Sequence, residues 1–398
     1  MLNFLQQAKE LFPYTRSLRR DFHMHPELGF REFRTSGIVA KELESLGLEV
    51  TKGIGKTGVV GLLEGARPGP ILLLRFDMDA LPIVEETGVE YASQNQGVMH
   101  ACGHDGHTAI GLTVAKILHA QRDQLAGTIK FCFQPSEEGN NGEEVGGAEM
   151  MMRDGLLEGP RVDMSLSLHL WNEKPLGWLG VTTGPIMAGA DIFTIRITGR
   201  GGHGAIPDAA VDPIIAAANI VNALQTIVAR NVSPLDTAVV SVTNIHGGTA
   251  FNVIPQEVKL EGTIRTFKHG VRQRVVERFG QIARGVGEGM GCQVEVDIKR
   301  ITPALVNNDS ITSKVQETAQ RVLSEANLDP EYQTMTAEDM AFMQEKVPGC
   351  YFFVGSNDRA RHLDYGHHHP KFDFDEEALI RGSALMAAAA MDVLNAKE

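Results

Sequence analysis

Hydrophobic and polar positions in the first 185 residues follow two different periods. Apolar residues at helical spacing predict helices over residues 3–24, 32–46 and about 108–120. Short apolar runs between turn residues predict strands at 48–52, 59–65, 71–79, 127–139 and 164–171. The strand ILLLRFDMD at 71–79 has no alternation, which is typical of a strand buried on both faces. Strands that alternate with helices predict a sheet with helices on both faces.

The pattern changes after residue 185. DIFTIRITG at 191–199 alternates with period two, which predicts a strand. A helix at 212–230, two strands at 237–245 and 258–267, a helix at 270–288 and a strand at 292–301 are predicted to follow. This order is that of a ferredoxin-like α+β unit. We therefore predict an α/β protein whose larger, mixed-sheet catalytic domain comprises residues 1–185 and 300–398. A ferredoxin-like α+β domain, residues 186–299, is predicted to be inserted into it.

Charge and cysteine content narrow the class of protein. The formal net charge of −13 argues against a nucleic-acid partner, because nucleic acids select basic surfaces. The four cysteines form no CxxC pair and are typical of reduced thiols in a cytoplasmic protein. The N-terminal stretch lacks a signal-peptide pattern, and no uninterrupted apolar run approaches about 18 residues, so no membrane partner is expected.

The stretch HACGHDGH at residues 100–107 concentrates side chains that can bind metals or transfer protons. Three explanations are open at this point: a metal site, a nucleophilic Cys102 with a neighbouring histidine base, or a chance cluster. Three further places decide between them. Glu137 and Glu138 in SEEG and His169 lie at the ends of predicted strands, and the triplet His367–His369 stands just before Pro370.

Taken singly, each of these places has an ordinary structural explanation; together they favour a metal site. Thiolate, imidazole and carboxylate suit Zn²⁺, Mn²⁺, Co²⁺ or Ni²⁺ better than Mg²⁺ or Ca²⁺. Four or five ligands with a spare carboxylate indicate two divalent ions, which can activate a water and polarise a carbonyl. Of Glu137 and Glu138, one can bind metal while the other transfers the proton of the water.

Several motifs in the same order resemble the metal-dependent amidohydrolase family. They are DMDALP (77–82), HACGHDGHTA (100–109), QPSEEG (134–139), HLW around His169, GRGGHGA (199–205), GGTAFNVIP (247–255), GTIRTF (262–267) and HHPKFDFDE (368–376). The family includes hippurate hydrolase, auxin-conjugate hydrolases, N-acyl-amino-acid deacylases and related carboxypeptidases. The likeness covers nearly the whole chain.

The resemblance implies a role for individual residues. Its metal ligands fall on Cys102, His104, Glu138, His169 and His368. Cys102 is the expected bridging ligand and Glu137 the expected general base. The spacing of the last histidine from Pro370 favours His368, although the triplet leaves His367 and His369 as alternatives.

The resemblance also implies functions for the inserted domain, as a lid and dimerisation domain. His203 is expected to stabilise the oxyanion from the partner subunit, while Asn252 and Arg265 are expected to bind substrate, Arg265 through an α-carboxylate. Four residues are expected to orient metal ligands by hydrogen bonds without binding the metal themselves: Asp77, Asp79, Asp105 and His107. The sequence gives no function for His23, His25 and His100.

The predicted activity is hydrolysis of the amide bond of N-acyl amino acids by a homodimer or dimer-based oligomer with two metal ions per subunit. A carboxypeptidase or dipeptidase with the same site is the alternative within this class. A metal-loaded binding protein without catalysis and a thiol hydrolase using Cys102 remain alternatives from other classes. The acyl group, the amino acid and the native metal cannot be read from the sequence.

Overall fold

The computed structural model describes residues 3–396, which divide into two compact units. The first unit takes its residues from Met1–Gly184, Val306–Tyr332 and Phe342–Glu398, and the second from Pro185–Leu305 and Gln333–Ala341. The second unit thus extends beyond the predicted insertion, residues 186–299, by residue 185, by residues 300–305 and by a separate segment, residues 333–341. That segment joins it through hydrogen bonds from Thr334 N to Ile186 O and from Ala188 N to Thr336 O. Such distant pairing leaves no local pattern in the sequence.

Ten α-helices lie within the described residues. They are α1 (Phe4–Met24), α2 (Phe33–Ser45), α3 (His104–His119), α4 (Gly147–Arg153), α5 (Pro213–Leu224), α6 (Thr226–Asn231), α7 (His269–Gly289), α8 (Asp309–Val322), α9 (Met340–Gln344) and α10 (Glu377–Leu394).

Sixteen strands accompany the helices in the same part of the chain. They are β1 (Glu49–Ile54), β2 (Gly58–Glu64), β3 (Arg67–Asp77), β4 (Ala126–Gln134), β5 (Met164–Pro175), β6 (Trp178–Gly180), β7 (Gly184–Met187), β8 (Gly189–Thr198), β9 (Gly202–His203), β10 (Ala238–Gly247), β11 (Val253–Ile254), β12 (Glu257–Thr266), β13 (Gln293–Thr302), β14 (Leu305–Asn307), β15 (Asn327–Asp329) and β16 (Gly349–Asn357).

The first unit is built on an eight-stranded mixed sheet of order β1-β2-β4-β3-β5-β16-β6-β15. At its centre β3 pairs in parallel with β4 and β5, and β5 pairs in parallel with β16. Phe76 and Phe133 pack on each other beneath α3, with ring centroids 5.6 Å apart. On the opposite face Cys132 contacts Met151 of α4. The predicted mixed-sheet α/β architecture is confirmed.

The helix after HACGHDGH begins four residues earlier than the sequence pattern indicates. We predicted a start near Thr108, whereas α3 starts at His104. The first turn consists of His104, Asp105, Gly106 and His107. Its three polar side chains hide the helical period, although all four residues are buried. The consequence is that His104 is fixed on a helix rather than on a loop.

The second unit contains a four-stranded antiparallel sheet of order β10-β12-β8-β13, crossed by α5 and α7. Along the chain this is strand, helix, strand, strand, helix, strand, as the period-two pattern predicted. Its core includes Ile220 of α5 and the pair Phe193 and Phe279, with ring centroids 4.5 Å apart. The predicted single helix at 212–230 is divided at Gln225 into α5 and α6.

One helical stretch, Pro213–Asn231, is long and apolar enough by length and composition to cross a membrane. Its apolar residues do not form an uninterrupted run, because uncharged Asn219, Asn222 and Gln225 stand among them without adding charge. Ile220 and Leu224 on this stretch belong to the core of the second unit. The same test is passed by core helices of soluble proteins, so the stretch carries no argument for a membrane.

Candidate metal centre

The candidate site lies at one edge of the central sheet in the first unit. Strands β3 and β4 end side by side at Asp77 and Gln134, which are register partners. On the other side of β3, Arg75 pairs with Ser167, so His169 lies two residues beyond that pair on β5. Parallel strands present their carboxyl ends on one edge, where open α/β sheets bind ligands.

A left-handed residue directs the chain from Cys102 into α3. Gly103 has φ +92°, a conformation that glycine adopts without steric cost. Its left-handed turn places Cys102 at the end of the loop and His104 in the first helical turn. Gly106 is also required to be small, since an added Cβ would lie 2.6 Å from Leu170 Cδ1 and 2.9 Å from Phe374 Cζ.

His104 is oriented by Asp79. Its Nδ1 donates to the backbone oxygen of Asp79 at 3.0 Å, with Asp79 Oδ1 at 3.2 Å. Because both partners are acceptors, Nδ1 carries the hydrogen and Nε2 points the other way. His104 Nε2 is buried without a hydrogen-bond partner and lies 3.9 Å from Glu138 Oε1.

Cys102 and His169 meet across the edge of the sheet. Cys102 Sγ lies 3.5 Å from His169 Nε2. His169 Nδ1 donates to the backbone oxygen of Leu170 at 2.6 Å, which leaves Nε2 facing the thiol. The arrangement repeats that of His104: one ring nitrogen is held by a backbone oxygen and the other is directed at the centre.

The SEEG turn that carries Glu137 and Glu138 is held from two sides. Ser136 has φ +49°, and its N–H donates to the buried carboxylate of Glu32 at 2.9 Å. Glu138 N–H donates to Asp79 Oδ2 at 3.1 Å. Asp79 therefore contacts both His104 and the turn that carries Glu138. The left-handed conformation of a non-glycine residue costs free energy and persists where its surroundings fix it.

Of the three consecutive histidines, only His368 faces Glu138. Its Nε2 lies 3.2 Å from Glu138 Oε1, and its backbone, at φ +66°, donates to Ala101 O at 2.8 Å. His367 Nε2 instead donates to Leu170 O at 3.0 Å. His369 stacks on Tyr365, and its Nδ1 accepts from Lys371 N–H.

Three groups of possible ligand atoms gather here, each with all its atoms within 4.8 Å of one another. The groups are Cys102, His104 and His169; Cys102, Glu138 and His368; and His104, Glu137 and Glu138. Cys102 belongs to both of the first two groups. The five sequence-predicted ligands and Glu137 are thus brought together in one unit.

The geometry fits divalent metal ions. Ligand atoms 2.0 to 2.3 Å from a tetrahedral Zn²⁺ lie about 3.3 to 3.8 Å from one another. Within the two groups that contain Cys102, the separations of 3.5 Å for Cys102–His169 and 3.2 Å for His368–Glu138 fall in or close to this range. The unpartnered Nε2 of His104 has a use only if a cation, or a water that it holds, occupies the centre.

The carboxylates around His104 and Cys102 also favour the binding of a positive charge at this site. Burial alone would lower the pKa of His104, but the carboxylates of Asp77 and Asp79 outweigh it and raise that pKa to about 10. Burial, followed by the charges of Glu138 and Glu137, raises the pKa of the Cys102 thiol well above its usual value. A thiol held protonated in this way is a poor nucleophile, which disfavours a thiol hydrolase.

Asp77 and His107 also lie within 4.8 Å of His104, but their atoms are already engaged. His107 Nδ1 donates to Asp77 Oδ1 at 2.6 Å, and its Nε2 accepts from Leu170 N–H at 2.9 Å. Asp77 Oδ2 accepts from Arg75 at 2.5 Å. These contacts agree with an orienting function for both residues rather than with metal ligation.

The remaining predicted residues belong to the second unit, where two of them are neighbours. His203 on β9 is the register partner of Val253 on β11, and Gly204 N–H donates to Asn252 O. His203 and Asn252 are both exposed. Arg265 on β12 contacts Thr263 Oγ1 and Ile264 O, and burial lowers its pKa.

Three residues of the N-terminal segment support the centre without having been predicted to do so from the sequence. Arg19 and His23 on α1 both contact Asp105, and Glu32 contacts the SEEG turn. His23 and Glu32 lie in HMHPELGFRE (23–32), where charged and histidine side chains are dense, whereas Arg19 lies within α1 and has no such signal. His100, by contrast, is buried with no hydrogen-bond partner at either ring nitrogen among the described residues.

Comparisons with known proteins agree with this geometry. Residues 73–392 match the family model of peptidase family M20/M25/M40. An N-acetylcysteine deacetylase of Bacillus subtilis is 40% identical over 385 residues, which cover 95% of this chain and 96% of that protein. Thermostable carboxypeptidase 1 of Saccharolobus solfataricus is 36% identical over 390 residues, covering 98% and 97%.

A solved structure is similar throughout. A dinuclear metal-binding peptidase of the M20 family from Bacillus subtilis has a TM-score of 0.84 and 36% identity, and the match covers 97% of this chain and 99% of that one. The family predicted from the motifs is thereby confirmed. The chain is a hydrolase that belongs to peptidase family M20/M25/M40.

Proposed function

We propose that the protein hydrolyses the amide bond of N-acyl amino acids with two divalent metal ions. The observation that carries the proposal is the pair of donor groups that share Cys102, beside the carboxylate of Glu137. Cys102, His104 and His169 would hold one ion, and Cys102, Glu138 and His368 the other. When bound, such ions lower the pKa of a water and polarise a carbonyl oxygen.

The chain's own side chains would carry the proton. Glu137 lies with a carboxylate oxygen within 4.8 Å of ligand atoms of His104 and Glu138, so it borders the place where a water would sit. We assign to Glu137 the removal of the proton from that water and its delivery to the departing amine nitrogen. Asp79 and Asp77 would keep the rings of His104 and His107 in place during the reaction.

Substrate recognition is assigned to the second unit. Arg265 is half-buried, and it would bind the free α-carboxylate through its planar guanidinium. Asn252 would bind the substrate, and His203 would stabilise the oxyanion from the partner subunit of a homodimer. Closure of this unit as a lid would exclude water from the reaction. We expect the protein in the cytoplasm.

Similarity to an N-acetylcysteine deacetylase favours a small N-acyl amino acid as substrate. Similarity to a thermostable carboxypeptidase supports the second candidate, a carboxypeptidase or dipeptidase with the same centre. Both reactions use the same attack on an amide carbonyl. They differ in the group attached to the carbonyl carbon of the scissile amide, a simple acyl group or an aminoacyl group, which the pocket walls select.

A substrate panel separates the two candidates. Protein freed of metal and reloaded in turn with Zn²⁺, Mn²⁺, Co²⁺ and Ni²⁺ should hydrolyse N-acetyl or N-benzoyl amino acids at a higher kcat/KM than free dipeptides. A preference for dipeptides would establish the peptidase instead. Metal-loaded protein that binds N-acyl amino acids without hydrolysing them would identify a binding protein.

The proposed role of Glu137 as general base can be tested by substitution, with the neighbouring metal ligand Glu138 as the control. Glu137→Gln should lower kcat by about 10²- to 10⁴-fold, since general acid–base catalysis contributes on that scale, while metal content stays at two ions. Glu138→Gln should lose metal as well as activity. Elemental analysis alongside steady-state kinetics distinguishes the two variants. Glu137→Gln protein with wild-type turnover would contradict the assignment.

A further inference from the structure

A buried ion-pair cluster surrounds Arg19 beneath the candidate metal centre. Arg19 lies on α1 with its side chain fully buried, and its guanidinium contacts three carboxylates. Nε lies 2.8 Å from Asp105 Oδ2, one terminal nitrogen 2.8 Å from Asp373 Oδ1, and the other 3.4 Å from Glu376 Oε1. One helical turn later, His23 Nδ1 contacts the same Asp105 oxygen at 2.8 Å.

The carboxylates of this cluster belong to two segments that carry predicted metal ligands. Asp105 follows His104 directly in the first turn of α3. Asp373 lies five residues after His368, and it is held further by Tyr91 Oη at 2.7 Å and by Phe374 N–H. The guanidinium is therefore a bridge between the start of α3 and the segment after the histidine triplet.

Packing fixes the guanidinium as firmly as its ion pairs do. The carbon at its centre lies 4.3 Å from the ring centroid of Phe374 and 5.0 Å from that of Tyr91. His23 is anchored on its other side by Glu85, at 3.2 Å from Nε2. A buried cation held in this way has one geometry, and removing it would take the positive charge from two buried carboxylates, Asp105 and Asp373.

We propose that Arg19 and His23 are positioning residues that set the relative placement of His104 and His368, and through it the affinity for metal. The inference rests on the proposed metal site. A lysine cannot replace Arg19, because a single ammonium lacks the planar fork that serves Asp105 and Asp373 at once. Partners that orient ligands typically change metal affinity by about 10- to 100-fold when they are lost.

The test is a Co²⁺ titration of metal-free protein, followed by the d–d absorption of the bound ion. Arg19→Lys should bind Co²⁺ at least about tenfold more weakly than wild type, with an altered absorption spectrum. Lys130→Met is the control, because Lys130 is a buried cation bonded only to the backbone carbonyls of residues 156, 158 and 160 among the described residues. It should lower Tm while leaving affinity and spectrum unchanged.

Each outcome decides the proposal. Weaker binding and a changed spectrum in Arg19→Lys, with a wild-type spectrum in Lys130→Met, support it. Wild-type binding by folded Arg19→Lys, or equal loss in Lys130→Met, overturns it. Should Arg19→Lys fail to fold, His23→Gln is measured by the same criteria. Wild-type protein that binds no Co²⁺ would overturn the metal site itself, and the inference with it.

Discussion

His368 is distinguished from its neighbours by backbone conformation and by what each ring contacts. The left-handed backbone of His368 turns its ring toward Glu138, whereas His369 stacks on Tyr365. His368→Asn should lower metal affinity by more than about 100-fold, because loss of a ligand exceeds loss of an orienting partner. His369→Asn, one residue away, should bind metal as wild type does. Calorimetric titration of both variants checks this, and equal losses would reject the choice of His368.

Glu32 is expected to make the free energy of unfolding depend on pH. Burial, followed by the charge of Asp79, raises the pKa of this carboxyl to about 7. The pKa of Glu32 is therefore higher in the folded than in the unfolded protein. Its contribution to the free energy of unfolding is fully present below about pH 4 and is lost as the pH rises through 7. The free energy of unfolding of metal-free wild type, relative to Glu32→Gln, should fall by roughly 3 kcal/mol between pH 4 and pH 8.

Chemical denaturation at several pH values measures the effect of Glu32. In Glu32→Gln the side chain stays neutral, so the variant should be the more stable protein at pH 8. A difference between the two proteins that does not change with pH would show that Glu32 is not held in its protonated form.

At the scale of elements, α3 depends on glycine where it crosses the sheet. A Cβ at Gly111 would lie 2.7 Å from Phe76 and 2.8 Å from Phe133, both buried rings. Gly111→Ala should therefore destabilise the fold by about 1–3 kcal/mol through overpacking, despite the higher helix propensity of alanine. Gly285→Ala, in α7 with open space around the position, should instead stabilise by about 0.5–1 kcal/mol.

Thermal and urea unfolding of the two alanine variants separates the two effects. The sign of the change is the decisive quantity, because both substitutions add the same methyl group to a helix. Stabilisation by Gly111→Ala would mean that α3 does not pack against Phe76 and Phe133 as described.

Elements with a regular period or a long apolar run were predictable, whereas the helix start formed mainly by buried polar residues was not. The antiparallel strands of the second unit follow period two, and the strand from Arg67 to Asp77 contains the uninterrupted apolar run Ile71–Leu74. The start of α3 was wrong because His104 to His107 are polar yet buried. Their burial comes from partners such as Asp77, Asp79 and Arg19, which lie far away in the sequence.

For the whole molecule, the motifs predicted the family and the set of candidate ligands, because residue types alone define suitable metal donors. They could not predict the supporting contacts of Arg19, His23 and Glu32, since long-range ion pairs have no sequence period. The dimer and the movement of a lid remain predictions. Sedimentation at several protein concentrations would measure the first.

Anomalous X-ray diffraction from crystals grown with Mn²⁺ is the most direct measurement of the proposed centre. We expect two anomalous peaks per subunit, both in contact with Cys102. One should also be bonded to His104 and His169, and the other to Glu138 and His368, with Glu137 bonded to neither. A single peak, or peaks located away from these side chains, would contradict a dinuclear centre at this edge of the sheet.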